Sequence, residues 1–209
     1  MPAQPALSPS KIVCVGRNYA AHAKELGNEV PKQPLLFLKP PSSIVRSGES
    51  IRLPTVSNRV EYEGEIGVVI GRRLKRVKPE DVLGAIANVC AANDVTARDL
   101  QKSDVQFTRA KGFDTFCAVG ELAEVPSNLG QLQLRTLVNG QVRQDGNTSD
   151  MVFDIPTLVS FISGVMTLEP GDLILTGTPE GVGTLSAGDV VEVEIVGVSR
   201  VTNPVTNDD

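Results

Sequence analysis

The chain has 209 residues, of which 41% are hydrophobic and 22% charged, a size and composition typical of one globular domain with a substantial core. Its formal net charge of −5 argues against binding to nucleic-acid phosphates, which requires clustered lysine and arginine. Aromatic residues make up only 4%, with no tryptophan, which also argues against stacking on single-stranded bases.

The first ten residues do not have the pattern that predicts a signal peptide. Residues 1–10 are rich in proline and predict a flexible segment in front of a single domain at residues 11–209. A basic and an apolar signal-peptide region are both missing, and no apolar stretch approaches the roughly 18 residues of a membrane span. The widely spaced Cys14, Cys90 and Cys117 predict buried thiols in a reducing compartment. We therefore expect a cytoplasmic protein that binds neither membranes nor nucleic acid.

The first half of the domain predicts short strands around one helix. The helix is expected over residues 19–26, with Asn18 as its N-cap and Gly27 just beyond its end. Short apolar or alternating runs predict strands at residues 11–16, 35–38, 51–53 and 60–70.

The second half adds a hairpin and further helices. Asn139-Gly140 between two alternating runs predicts a β-hairpin of residues 134–138 and 141–144. Helices are predicted at residues 79–89 (opened by proline and acidic residues), at 96–102, and from Asp154 onward. Strands at residues 173–175 and 190–198 flank a glycine-rich loop. Strands outnumber helices and the connections are too short for repeated crossovers, so we expect a mainly β, α+β fold.

The strand at residues 60–70 places Glu61, Glu63 and Glu65 at alternate positions, on one face of an extended chain. Neighbouring carboxylates repel one another, and a hard divalent cation with oxygen ligands relieves that repulsion. The pattern is equally that of a solvated edge strand. Asp94 could complete an oxygen site with Glu63 and Glu65, or could be an ordinary N-cap of the helix that follows.

The only histidine, His22, is followed three residues later by Glu25. On a helix the two side chains are neighbours, and the carboxylate would orient the imidazole and raise its basicity, as a water-activating base requires. A solvent-facing histidine on a surface helix is the alternative. Lys111 could stabilise a developing oxyanion or could simply be exposed. The glycine-rich loop at residues 176–184 lacks the P-loop and dinucleotide fingerprints, leaving a small-anion loop or a plain hairpin.

Six segments, in chain order, resemble the fumarylacetoacetate hydrolase family, especially its short acylpyruvate hydrolase and oxaloacetate decarboxylase members. They are Val15-Gly16-Arg17-Asn18-Tyr19 with His22 and Glu25, Phe37-Leu38-Lys39-Pro40, Glu61-Tyr62-Glu63-Gly64-Glu65, Asp94-Val95-Thr96-Ala97-Arg98-Asp99, Lys111-Gly112-Phe113-Asp114, and Leu175-Thr176-Gly177-Thr178-Pro179 with Gly181-Val182-Gly183. Each is weak alone, but six in the family's order are specific.

The resemblance implies a mixed β-sandwich roll with short peripheral helices, usually assembled as a homodimer. It assigns a divalent metal, generally Mg²⁺ and alternatively Mn²⁺ or Ca²⁺, to Glu63, Glu65 and Asp94. Glu61 is not a ligand in the family, which alternation alone could not have excluded.

The resemblance also implies roles around the substrate. His22 and Glu25 match a water-activating pair on a lid helix, and Lys111 matches a lysine that contacts substrate near the metal. Positions near substrate are implied for Arg17, Arg98, Gln101 and Thr178. The small-molecule substrate would be a keto acid.

The favoured hypothesis is metal-dependent hydrolysis of a C–C bond in acylpyruvate-type 2,4-diketo acids, such as fumarylpyruvate or acetylpyruvate, through a metal-bound enolate. The His22–Glu25 pair favours it because hydrolysis needs an activated water. The alternatives are an oxaloacetate-type decarboxylase, a 2-hydroxyhepta-2,4-diene-1,7-dioate isomerase of aromatic catabolism, and a non-catalytic keto-acid-binding β module.

Overall fold

The computed structural model of the protein describes residues 7–208, over which the chain forms fifteen strands and four α-helices. The strands are β1 Ile12–Gly16, β2 Leu35–Lys39, β3 Ile44–Arg46, β4 Ile51–Leu53, β5 Val60–Tyr62, β6 Gly64–Ile70, β7 Ile86–Asp94, β8 Thr96–Ala97, β9 Cys117–Val119, β10 Gln133–Val138, β11 Gln141–Asn147, β12 Leu173–Leu175, β13 Gly183–Thr184, β14 Val190–Ile195 and β15 Ser199–Asn207. The helices are α1 Ala20–Glu25, α2 Arg98–Ser103, α3 Thr108–Lys111 and α4 Ile155–Val165. The predicted mainly β, α+β fold is confirmed.

The strands form three sheets that curl around two apolar clusters. The largest sheet has the order β2-β1-β12-β6-β7-β9-β3, the second β11-β10-β14-β15-β4, and the smallest β13-β5-β8. At the centre of the largest sheet, the antiparallel pair β6–β7 aligns Gly64 with Asn93 and Glu65 with Ala92. This register brings the acidic end of β6 to the end of β7, where Asp94 lies.

Strand β6 is buried on both faces, which explains why its sequence turns continuously apolar. On one face Ile66 packs into the main core. On the other face Val69 packs with Cys14, Cys90 and Cys117, which are free and buried as the sequence predicts. Burial raises the pKa of the Cys90 and Cys117 thiols to about 12, as expected for thiols packed as small apolar groups.

Two elements follow their local sequence signals closely. Asn139 and Gly140 adopt φ values of 52° and 77° and join β10 to β11, as a primed hairpin turn requires. At the start of α4 the Asp154 side chain accepts a hydrogen bond from the Thr157 amide at 2.8 Å, an N-cap. Both predictions are confirmed.

Two local predictions are wrong. The helix predicted over residues 79–89 is replaced by two 3₁₀ turns, Pro79–Asp81 and Leu83–Ala85, followed by β7. The apolar run from Ile86 pairs with β6 in the core, and this long-range pairing outweighs the local helix signal. Asn18 does not cap α1, which begins after Tyr19 without a side-chain cap.

Other differences are shifted element boundaries and elements that the sequence did not predict, among them β3, β9, β13, β15 and α3. The helix predicted from residue 96 begins at Arg98, because Thr96 and Ala97 pair with β5. Strand β15 was not predicted; it extends the second sheet beside β14. Residues 1–6 of the predicted flexible segment lie outside the described residues, whereas Ser10 hydrogen-bonds to Asp172. None of the helices in residues 7–208 combines the length and hydrophobicity that crossing a membrane requires.

Candidate active site and metal centre

Strands β5 and β6 are separated by Glu63 and belong to different sheets. The Glu63 amide donates to Asn93 Oδ1 at 2.9 Å, and the Gly64 amide donates to Gln144 Oε1 at 3.0 Å. These two side chains satisfy backbone groups that a continuous strand would have paired in a ladder. The single strand predicted over residues 60–70 is therefore interrupted at Glu63.

The interruption separates Glu61 from the other two acidic residues. Glu61 binds two arginines: its carboxylate accepts from Arg59 Nε at 2.6 Å and from Arg98 Nε at 2.8 Å. Alternation alone did not distinguish Glu61 from Glu63 and Glu65 as a metal ligand, but the three oxygens that could hold an ion do not include one from Glu61. Glu63 and Glu65 join a carboxylate cluster, while Glu61 holds Arg98 beside it.

Glu63, Glu65 and Asp94 form that cluster. Each contributes one carboxylate oxygen, and the three oxygens lie within 4.8 Å of one another. All three residues are buried. Asp94 is held at the end of β7 by its amide, which donates to the Glu63 carbonyl at 2.8 Å. The three residues predicted as metal ligands are thus brought together from two separate stretches of the chain.

Three buried cations contact two of these carboxylates. Arg98 Nη2 donates to Glu63 Oε1 at 2.7 Å. Lys111 Nζ donates to both Glu63 Oε2 and Asp94 Oδ2 at 2.7 Å. Lys39 Nζ donates to the other Asp94 oxygen at 2.5 Å. Lys111 is 2% exposed, so its alternative as a simply exposed lysine is excluded.

The neighbouring charges shift the pKa values of Glu63 and Glu65 in opposite directions. Burial disfavours the ionised form of Glu63, but the charges of Lys111 and Arg98 outweigh it and hold the pKa of that carboxyl well below its ordinary value. Glu65 behaves in the opposite way: burial, and then the negative charges of Asp94 and Glu63, raise its pKa well above the ordinary value. A further positive charge close to Glu65 would favour its ionised form.

The donor set fits a divalent metal ion. Three carboxylate oxygens at this spacing are the ligands that hard cations prefer, and Mg²⁺, Mn²⁺ and Ca²⁺ all accept them. A cation between Glu63, Glu65 and Asp94 would supply the positive charge that Glu65 lacks. The geometry and the chemistry of the donors agree with a metal centre without selecting one of these ions.

His22 and Glu25 line the same cavity, of about 510 Å³, as Glu63 and Glu65. His22 is only 4% exposed, which excludes the alternative of a solvent-facing histidine. Its Nδ1 donates to Glu25 Oε2 at 3.1 Å, and Glu25 Oε1 accepts from the Gly181 amide at 3.1 Å. This contact fixes the ring orientation and leaves Nε2 as the nitrogen that can take up a proton.

The residues expected near substrate also line this cavity: Arg17, Arg98, Gln101 and Thr178. Arg17 adopts a φ of 58°, in the left-handed region that non-glycine residues rarely occupy. Arg98 Nη1 donates to Gln101 Oε1 at 2.6 Å. Arg59, Lys102 and Lys111 add further positive charge to the wall, which makes the cavity suited to an anionic ligand.

Three supporting residues were not predicted from the sequence. Lys39 stands in a matching segment, but no role was inferred for it. Gln144 donates to Thr178 Oγ1 and to the Pro179 carbonyl, both at 2.8 Å, and so ties the glycine-rich loop to the acidic turn. Asn18 contacts the Thr176 carbonyl at 2.9 Å. No local pattern marks such residues, because each acts on chain segments far away in sequence.

Comparisons with known proteins give consistent results. The sequence profile described as "Fumarylacetoacetate (FAA) hydrolase C-terminal" matches residues 11–206. "Oxaloacetate tautomerase FAHD1, mitochondrial" of Arabidopsis thaliana is 45% identical over 201 residues, covering 92% of this chain and 89% of the relative. "Oxaloacetate decarboxylase, mitochondrial" of Dictyostelium discoideum is 43% identical over 195 residues, covering 90% and 89%. The crystal structure of 2-hydroxyhepta-2,4-diene-1,7-dioate isomerase from Mycobacterium marinum matches with a TM-score of 0.89 at 47% identity, covering 97% of this chain and 76% of that one.

Proposed function

The chain belongs to the fumarylacetoacetate hydrolase family, and on that basis we propose that it is an enzyme that tautomerises a 2-oxo acid of the oxaloacetate type. The names of the relatives support the decarboxylase and isomerase alternatives better than the acylpyruvate hydrolysis that the sequence favoured, and one relative is named an oxaloacetate tautomerase. Tautomerases and isomerases of such acids share one step, in which a proton leaves a carbon atom next to the oxo group and an enol or enolate forms.

One observation carries the proposal. The His22–Glu25 pair and the carboxylate cluster of Glu63 and Glu65 line one cavity, whose wall also bears arginine and lysine side chains. A base, a candidate cation site and an anion-binding wall in one chamber are what enolisation of a dicarboxylic 2-oxo acid requires. A simple binding site would need no oriented base.

The protein's own residues would perform the proton transfer as follows. Arg17 and Arg98 attract the substrate carboxylates and set its orientation. His22 Nε2 takes the proton from the carbon next to the 2-oxo group, and the C–H electron pair becomes the enol double bond. The π pair of the C=O bond moves onto the oxygen, which then takes the proton from His22 Nε2. A C–H bond and a C=O π bond are thus replaced by a C=C π bond and an O–H bond. Glu25 stabilises the transient imidazolium through Nδ1.

Glu63, Glu65 and Asp94 would hold a divalent cation, which supplies Lewis acidity where negative charge develops on the 2-oxo oxygen. Lys111 lies against two of these carboxylates and also lines the cavity, so its ammonium can contribute positive charge to the same region. The closed, largely buried setting of the cluster strengthens each of these electrostatic contributions.

Decarboxylation of oxaloacetate is the second candidate, because one relative carries that name. It needs the same stabilisation of an enolate-type charge but no base to remove a carbon-bound proton. The His22 pair therefore distinguishes it from tautomerisation. The homodimer implied by the resemblance and the cytoplasmic location expected from the sequence stay predictions.

The test is a substrate panel with the Mg²⁺-supplemented protein. We expect the protein to accelerate keto–enol exchange of oxaloacetate, measured as the loss of enol absorbance. In His22→Gln the kcat of this exchange should fall about 10²–10⁴-fold. Glu25→Gln should show a smaller loss. Pyruvate release from oxaloacetate and loss of acetylpyruvate absorbance measure the decarboxylase and hydrolase activities in parallel.

Glu29→Gln is the matched control for Glu25→Gln, since Glu29 is exposed in the loop that follows α1 and does not line the cavity. It should keep the wild-type rate. If His22→Gln exchanged oxaloacetate tautomers at the full rate, the proposed base would be wrong. A protein faster on acetylpyruvate than on oxaloacetate would restore the hydrolase hypothesis.

A further inference from the structure

Lys39 is a buried charge that the proposed reaction does not use. It ends strand β2, is 1% exposed and does not line the cavity. Its ammonium donates to Asp94 Oδ1 at 2.5 Å and to the Val95 carbonyl at 3.1 Å. Lys39 therefore approaches Asp94 from the core, whereas Lys111 contacts the other oxygen of Asp94 and does line the cavity.

A positive charge on Lys39 is not needed merely to orient Asp94. Removing an ammonium from water is costly, and a neutral amide could donate the same hydrogen bonds to Asp94 and Val95. A buried lysine at this place therefore points to a role for its charge. The charge acts on whatever the Asp94 carboxylate binds on its other side.

The charges around the candidate metal site are nearly balanced without a metal. When all are ionised, Glu61, Glu63, Glu65 and Asp94 carry four negative charges, and four cations are bonded to Glu61, Glu63 or Asp94. These cations are Lys39, Arg59, Arg98 and Lys111. A divalent ion entering this cluster meets carboxylates that are already largely neutralised, and it leaves an excess of positive charge behind it.

From this balance we propose that Lys39 makes the cluster a weak site for a divalent cation alone and couples cation binding to the binding of a dianionic ligand. The dianion enters the cavity between the cation and the arginine and lysine side chains of its wall, and restores neutrality. By linkage, the cation and the dianion must tighten each other's binding by the same factor. The inference rests on the proposed function only for the chemical class of the anion.

The test uses Mn²⁺ and oxalate, a dianion with two carboxylates that can chelate a cation as a 2-oxo acid does. Isothermal titration calorimetry of the wild-type protein should give a Mn²⁺ dissociation constant that falls about tenfold or more in saturating oxalate. Lys39→Gln keeps a hydrogen-bond donor but removes the charge. It should bind Mn²⁺ about tenfold more tightly than wild type without oxalate, and gain less from oxalate.

Lys75→Gln is the matched control, because Lys75 is exposed in the turn that follows the opposite end of β6. Its Mn²⁺ affinity and oxalate gain should equal those of the wild type. Two results would overturn the inference: a wild-type Mn²⁺ affinity that oxalate does not change, or a folded Lys39→Gln that binds Mn²⁺ no more tightly than the wild type. The first needs no variant, so it can overturn the inference even if Lys39→Gln fails to fold.

The calorimetry measures binding only and does not depend on catalytic activity, so it tests this inference separately from the proposed function. A protein that shows the coupling but does not accelerate oxaloacetate exchange would refute the proposed function and leave this inference standing. A protein that turns over oxaloacetate without the coupling would do the reverse.

Discussion

Gly64 lies between two of the three clustered carboxylates and has no room for a side chain. A Cβ atom on Gly64 would come within 2.0 Å of Thr136 Oγ1 and 3.1 Å of Gln144 Oε1. The backbone does not adopt a positive φ there, so packing against the second sheet is what requires glycine. The same contact brings Gln144 to the Gly64 amide and fixes the turn that carries Glu63 and Glu65.

Replacing Gly64 by alanine should therefore destabilise the protein and disturb the carboxylate cluster. We expect a loss of about 1–3 kcal/mol in the free energy of unfolding, measured by urea denaturation, from overpacking against Thr136. Mn²⁺ affinity should fall as well. Gly84→Ala is the control, since a Cβ on Gly84 meets nothing within 4 Å and should leave both quantities unchanged. Wild-type stability in Gly64→Ala would contradict the packing argument.

Individual site residues were predictable where their chemistry is written in the residue type. Glu63, Glu65 and Asp94 were identified because clustered carboxylates imply a cation and because their segments match a family. Alternation did not predict that Glu61 stays outside the cluster, because the partners of its carboxylate include Arg98, which comes from a distant part of the chain.

At the scale of the elements, Asp172 joins the start of β1 to the start of β12. Its carboxylate accepts hydrogen bonds from the Ser10 amide at 3.1 Å, the Lys11 amide at 3.2 Å and the Glu169 amide at 2.8 Å, and it pairs with the Lys11 ammonium. These two strands are parallel neighbours in the largest sheet. Burial disfavours ionisation, but these donors outweigh it and lower the pKa of Asp172.

Asp172→Asn should lower the free energy of unfolding at pH 7 by about 1–3 kcal/mol, because an amide NH₂ would face N–H donors. A lowered folded-state pKa means that the ionised carboxylate stabilises the protein above its unfolded pKa of about 3.9, and that this contribution is lost as the pH falls through the folded-state pKa. The difference between wild type and variant should therefore begin to shrink at about pH 5 and go on shrinking below about pH 3.9 in urea titrations.

Asp81→Asn supplies the control for this change, because Asp81 is exposed. Its effect at pH 7 should stay within about 0.5 kcal/mol. A stability difference between Asp172→Asn and wild type that grew on acidification would contradict the sign derived from the lowered pKa.

The elements differ in how far local sequence determined them. The Asn139-Gly140 hairpin and helix α4 were predictable because turn chemistry and the Asp154 cap act within a few residues. The start of β7 was not, because the helix signal at Pro79 is local while the pairing of β7 with β6 is not. Strand β15 was missed although its inward residues, such as Val201 and Val205, alternate with outward ones.

At the scale of the whole molecule, the candidate site lies where the three sheets meet. Glu63 is the junction between the smallest and the largest sheet, and Gln144 reaches it from the second. The cations come from yet other segments: Lys39 from β2 and Lys111 from α3. A site assembled in this way depends on the complete fold. A sequence pattern can therefore identify the candidate ligands, but it cannot predict which cations lie beside them.

Conversely, the fold should not depend on the metal. The core clusters are apolar, the Glu63 and Asp94 carboxylates already have buried cations as partners, and Glu65 accepts a hydrogen bond from the Gly177 amide at 2.6 Å. Exhaustive chelation should therefore leave the far-ultraviolet circular dichroism spectrum and a cooperative thermal transition intact, in contrast to domains that a structural metal folds. Stabilisation by a ligand grows with the ratio of its free concentration to its dissociation constant. Because Mn²⁺ alone should bind weakly, adding it back should raise the melting temperature by only a few degrees. Adding oxalate together with Mn²⁺ should raise it further. Loss of the cooperative transition on chelation would show instead that the carboxylate cluster needs a metal ion to be tolerated in the core.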